Sequence, residues 1–105
     1  MSRSRRKKVE QGTLIHGTSL EEDLIPAFID AILEFGNAED KRIARQIQKE
    51  SKKRSYYGSE DAAYDVHETL PDVLDRIAAD SGFYFGSHPG DGSDFGFWYH
   101  IDDDW

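Results

Sequence analysis

The stretch SHPGDGSDFGFWYH, residues 87–100, gathers side chains able to do chemistry. His88, Asp91 and Asp94 could offer one imidazole and two carboxylates to a cation. Calcium takes oxygen ligands, but an EF-hand loop needs acidic residues at alternating positions and a glutamate at the twelfth, a pattern missing here. PGDGSDFGF matches the calcium-binding β-roll repeat GGxGxDxUx in part, with Pro89 in place of its first glycine and Gly96 where a large apolar residue belongs. That repeat works only as stacked copies, and here it occurs once. A phosphate cradle needs a glycine-rich loop that opens a helix. This loop opens a strand, and its aspartates repel phosphate. The bend is therefore expected to reverse the chain, with Gly90 and Gly92 supplying positive φ and the aspartates bonding the turn backbone.

Other chemistries find less support. His16, His67, His88 and His100 show no HxH or HxxxH spacing, so no zinc motif is present. His16 and His100 would meet Asp94 only if their strands were neighbours in one particular register. The chain has no cysteine and no GxSxG elbow, so nucleophilic catalysis has no anchor. No catalytic residue, metal or cofactor is assigned. The aromatics point toward binding. Seven of the thirteen Phe, Tyr and Trp residues lie between Phe83 and Tyr99. Tyr84 and Trp98, with Trp105 and the loop residues His88, Asp91 and Asp94, form the candidate binding set, because aromatic side chains beside acidic ones suit a protein interface.

These residues must be positioned by a fold of 105 residues, enough for one domain with one core. Residues 12–18 read as a strand, with Leu14 and His16 on one side and Thr13 and Ile15 on the other. Leu24, Ile25, Phe28, Ile29, Ile32 and Phe35 recur at helical spacing. Ser19 and Glu22 have capping-box spacing; a start near Asp23 would keep Pro26 in the first turn, the alternative being an earlier start with a kink at Pro26, and Gly36 would close the helix as a C′ residue. Residues 37–54 read as a polar helix capped by Asn37, with a thin stripe of Ile43, Ala44 and Ile47. Pro71 suggests two helical pieces, 59–68 and 70–80, with Thr69 and Asp72 as a second cap. Residues 83–87 and 95–101 are aromatic strands joined by the seven turn formers HPGDGSD. The expected fold class is α+β: a small antiparallel sheet, made of the N-terminal strand and the C-terminal aromatic hairpin, packed against three to four helices. Residues 1–11 read as a disordered basic arm, 12–101 as the single domain and 102–105 as an acidic tail.

Charge is divided along the chain. Residues 1–59 carry 12 basic and 9 acidic residues, while residues 60–105 carry Arg76 alone against 12 acidic ones. The acidic half would repel nucleic acid and attract a basic protein surface, leaving residues 3–8 and 52–54 as the clusters able to touch phosphate. No stretch is apolar enough to span a membrane, and the basic N-terminus lacks the apolar run of a signal peptide.

Finally, GTLIHGTSLEEDLIPAFIDAI and FYFGSHPGDGSDFGFW resemble the opening and closing motifs of a family of small uncharacterised phage and prophage proteins, over roughly residues 12–98. The resemblance implies a phage or prophage origin and residence in the bacterial host cytoplasm. It implies no activity and no catalytic residue. The reading that follows is an accessory protein that binds a basic surface of a host protein, such as a nucleic-acid enzyme or a defence component. The alternatives are a metal-binding or enzymatic domain centred on the HPGDGSD loop, and a nucleic-acid binder acting through the basic arm. Partner identity and oligomeric state are left open.

Overall fold

The computed structural model of the chain describes residues 9–18, 20–88 and 90–99. The arm 1–8, Ser19, Pro89 and the tail with His100 and Trp105 lie outside the described residues. The elements are β1 (Gly12–His16), α1 (Glu21–Phe35), α2 (Ala38–Glu50), α3 (Glu60–Tyr64), a π-turn (Asp65–Thr69), α4 (Leu70–Ala79), β2 (Phe83–His88) and β3 (Asp91–Tyr99). The fold is α+β, as expected. Its three strands are antiparallel in the order β1-β3-β2, so β3 is the central strand.

Helix α1 supplies the middle of the core. Leu24, Ile25, Phe28, Ile29, Ala31 and Ile32 are its buried residues. The Phe28 ring meets Phe85 and Phe95 edge-on, at centroid separations of 5.1 and 5.8 Å, and Phe35 meets Phe97 at 5.9 Å. Edge-to-face pairs of this kind add about 0.5–1.5 kcal/mol each beyond their burial. Val9, assigned to the arm from sequence, is buried and joins this core.

The start of α1 is the earlier of the two expected, not the one near Asp23. It begins at Glu21, so Pro26 lies in the second turn, where the chain gives up one helical hydrogen bond on an exposed face. The N-cap position is Leu20, without a side-chain cap. Thr18 holds the entry instead: its Oγ1 accepts from the Leu20 N–H at 3.1 Å while its hydroxyl donates to Asp23 Oδ2 at 2.7 Å. Gly36 also acts otherwise than expected. Its φ of −82° is extended, not left-handed. Glycine is required there by closeness, since a Cβ would lie 2.7 Å from both Asp40 Cβ and the Ile32 carbonyl oxygen.

Asn37 caps α2 as the sequence predicts. Its side chain accepts from the Asp40 N–H at 2.8 Å, and Asp40 Oδ2 accepts from the Asn37 N–H at 3.1 Å. Helix α2 is shorter than expected, ending at Glu50, so Lys52, Lys53 and Arg54 follow it in a turn.

The predicted break at Pro71 does not occur. Thr69 is helical and caps nothing. The chain instead widens by one residue, with the Leu70 N–H reaching back to the Asp65 carbonyl in the i→i−5 pattern of a π-turn. A proline ring collides with the carbonyl four residues earlier, here that of His67, and lacks the N–H that would bond it. The wider turn accommodates both defects, so α3, the π-turn and α4 run on as one rod over 60–79.

In the sheet, Phe83, Phe85, Phe95 and Phe97 face the helices, whereas Tyr84 pairs with Trp98, and Gly86 with Gly96, on the other face. Strand β1 does not alternate as expected. A bulge between Thr13 and Ile15 sets these residues opposite the consecutive positions Gly96 and Phe95, so they face opposite sides and both Leu14 and Ile15 pack against the core. The seven-residue turn is also corrected. Strand β3 begins at Asp91, and only residues 89 and 90 connect it to β2. The extra residues Gly92, Ser93 and Asp94 are taken up by a bulge between the Ser87–Phe95 and His88–Asp91 pairs. Neither Gly90 nor Gly92 has a left-handed φ.

Gly96 must be bare because β1 crosses it: a Cβ there would run into the Gly12 carbonyl and lie 2.9 Å from Thr13 Cα. Gly96→Ala should therefore cost about 2 kcal/mol or more, as overpacking against backbone that has nowhere to move. Gly92→Ala is the control, since a Cβ there meets nothing within 4 Å. It should shift stability by no more than about 0.5 kcal/mol, with urea denaturation comparing the two.

Candidate functional site

Five of the six candidate binding residues, all but Trp105, lie on the sheet face that points away from the helices, or at its hairpin end. Trp98 is only 8% exposed, although it stands outside the main core. Its indole N–H donates to the Gly86 carbonyl at 2.9 Å, a diagonal reach across the side-chain-free Gly86–Gly96 pair. The His88 ring closes on it edge-on at 4.8 Å. Trp98 is thus a fixed part of this face and presents little free surface to a partner. Tyr84 beside it is half-buried.

The loop groups are occupied by the fold. His88 Nδ1 accepts the Gly90 N–H at 2.9 Å, which places the remaining imidazole proton on Nε2 and closes the hairpin link. Asp94 Oδ1 accepts the Thr13 hydroxyl at 2.7 Å and so ties β3 to β1. Asp91 is placed opposite His88 by backbone register. His16 pairs with Asp94 across β1 and β3, as the sequence reasoning imagined, but His100 and Trp105 lie outside the described residues. Among the described residues no three His, Cys, Asp or Glu side chains converge as a metal site.

A cavity of about 610 Å³ lies at the other end of β1 from this bend, between Glu10, Thr13, Leu14, Glu34, Phe35 and Phe97. It holds none of the candidate residues.

Two arrangements were not legible in the sequence. The first is a cleft of about 240 Å³ between α2 and α3, lined by Ile47, Glu50, Tyr56, Asp61, Tyr64 and Asp65. The buried Tyr56 hydroxyl donates to Asp65 Oδ2 at 2.8 Å. Burial, and then the bond to Asp65, push the Tyr56 hydroxyl far above its ordinary value of 10.0. Burial also raises the Asp65 carboxyl above 3.8; the tyrosine bond opposes this, and the charges of Asp61 and Glu50 add to it. The second is the outer face of the 60–79 rod and its end. Glu60, Asp61, Glu68, Asp72, Asp75 and Asp80 are all exposed there. Arg76, the one Lys or Arg in this stretch, donates to Asp40 Oδ1 at 3.1 Å. The acidic composition of this half was plain from sequence, but the alignment of its charges required the unbroken rod.

Comparison with known proteins finds no family model, curated protein or solved structure that matches the chain.

Both Tyr56 and Asp65 hold their protons more tightly in the folded chain than in the unfolded one, so each makes stability fall as pH rises through its transition. This applies from 3.8 upward for Asp65 and from 10.0 upward for Tyr56. Asp65→Asn keeps an acceptor for the tyrosine and removes the desolvated charge. It should be at least as stable as the wild type at pH 7 and show a flatter stability profile above pH 3.8. Tyr56→Phe strips Asp65 of its donor and should cost about 1–2 kcal/mol at neutral pH. It should also lose the extra destabilisation above pH 10.0. Urea denaturation across pH reads both.

Proposed function

We propose that this protein is a phage or prophage accessory protein that acts in the host cytoplasm by binding, with the acidic rod over 60–79 seated on a basic surface of a host protein. One observation carries the reading: six exposed carboxylates stand along one continuous, well-packed helical rod and its end, and the single cation among them is turned to Asp40. A rigid line of one sign steers a partner of the opposite sign and fixes its orientation before close contact. Tyr64, 63% exposed among these carboxylates, supplies an aromatic anchor of the kind that slows release. The phage origin rests on the resemblance of the opening and closing motifs. Among the described residues no helix is long and apolar enough to cross a membrane. A nucleic-acid enzyme or a defence component offers the basic surface this reading requires.

The test compares capture from bacterial lysate by the wild type and by the variant Glu60→Gln, Asp61→Asn, Glu68→Gln, Asp72→Asn. A host protein held at low salt, released as salt rises and bound about tenfold or more weakly by the variant is the expected result. Equal capture by both proteins, or capture indifferent to salt, would remove the acidic rod from the function.

A further inference from the structure

The outer face of α2 has the opposite character to the rod. Residues Asp40, Ala44 and Ile47 point inward and are buried. At about 100° per residue, Arg42, Arg45 and Lys49 fall together on the side directly away from them. All three are exposed, and among the described residues none has an ion-pair partner. Lys41 flanks this sector on one side and the exposed Glu39 on the other; the sector itself, from Arg45 through Lys49 to Arg42, contains no carboxylate.

This arrangement works against the helix. Lys41 with Arg45, Arg42 with Arg45, and Arg45 with Lys49 are like-charge neighbours at i+4, i+3 and i+4. Each such pair costs about 0.2–0.5 kcal/mol, in a helix whose apolar stripe is thin. We infer that this face is a binding site for the phosphate backbone of a nucleic acid. Three features select that occupant. The cations from Arg42 to Lys49 cover about 10 Å of helix, about three phosphate-to-phosphate steps of one strand at about 3.4 Å of duplex axis each. Two of the three are arginines, whose planar forks match phosphate oxygens two at a time. The face carries no large apolar or aromatic side chain; the exposed ones of the described chain, Leu20 and Tyr64, lie elsewhere. A protein partner, or a second copy of this chain, would want an apolar anchor at the centre of its contact. Contact with the backbone alone needs only charge and is indifferent to sequence. The inference is separate from the acidic-rod reading and uses none of its residues.

The experiment titrates the full-length protein into a fluorescein-labelled DNA duplex of about 20 base pairs, at salt from about 25 to 200 mM, and follows anisotropy. Each phosphate contact adds about 0.9 to the steepness of log affinity against log salt. The variant Arg42→Gln, Arg45→Gln, Lys49→Gln should therefore lose about 2.7 of the wild-type slope. Over a fourfold rise in salt this means the wild type loses about 40-fold more affinity than the variant. Because the whole chain is used, the arm contributes equally to both proteins and cancels. If the triple variant shows an altered far-UV spectrum, Arg45→Gln alone replaces it, with an expected slope change of about 0.9. Identical slopes would overturn the inference, as would failure of the wild type to bind at the lowest salt. Salt-sensitive self-association that the same substitutions abolish, without DNA binding, would instead assign the face to a second copy.

Discussion

A carboxylate taken out of water has to be met by donors, and in this protein the requirement falls on Asp40, which is 1% exposed. Its two oxygens receive the Asn37 N–H and the Arg76 guanidinium. One side chain therefore caps α2, sits against the bare Gly36 at the end of α1 and fastens α4 to both. Removing one partner of such a group leaves the other without compensation, which costs far more than the pair contributes relative to an apolar substitute. The α1–α2 corner and the placement of the long rod follow from satisfying this one group. It also pairs with the rod's lone Lys or Arg, Arg76.

The sheet is governed by a second constraint, the need for backbone to approach backbone. Gly96 on the central strand admits β1, and the Gly86–Gly96 row lets the Trp98 indole cross to β2. The period-two alternation of the aromatics separates Phe83, Phe85, Phe95 and Phe97 from Tyr84 and Trp98, as the two faces of the sheet do, because one face of these strands is packed; the register itself, with Tyr84 opposite Trp98, comes from the pairing. The same reading failed where bulges intervene. A glycine–aspartate run looks like a turn whether it bends the chain or widens a strand, and only the long-range pairing with β1 decides which. Likewise the outward Trp98 looked like an anchor for a partner, since nothing local shows that His88 and the Gly86 carbonyl enclose it.

Helical periodicity located α1, α2 and the Asn37 cap well, for these depend on neighbours within a turn or two. The role of Gly36 was misassigned because closeness to Asp40 is a tertiary property that no dihedral preference reveals. Charge behaved similarly. The acidic half was visible by counting, but whether its carboxylates form a line depended on how the chain passes Pro71. The basic face of α2 is not a run in the sequence like Lys52 to Arg54: Arg42, Arg45 and Lys49 are scattered along the chain and gather only on the helix surface.

The π-turn at Asp65–Thr69 contains one residue more than an α-helix of the same length would use. The rod on its N-terminal side is consequently rotated by about a quarter-turn or more relative to a regular continuation. That offset is what aims Asp65 at Tyr56 and leaves Tyr64 looking outward. The five residues act as a slack link in the molecule: a homologue one residue shorter here could keep α4 and the sheet unchanged, yet it would present a differently clocked surface upstream. Variation in loop length usually alters what a loop displays; here a length change inside a helix would redial an entire face.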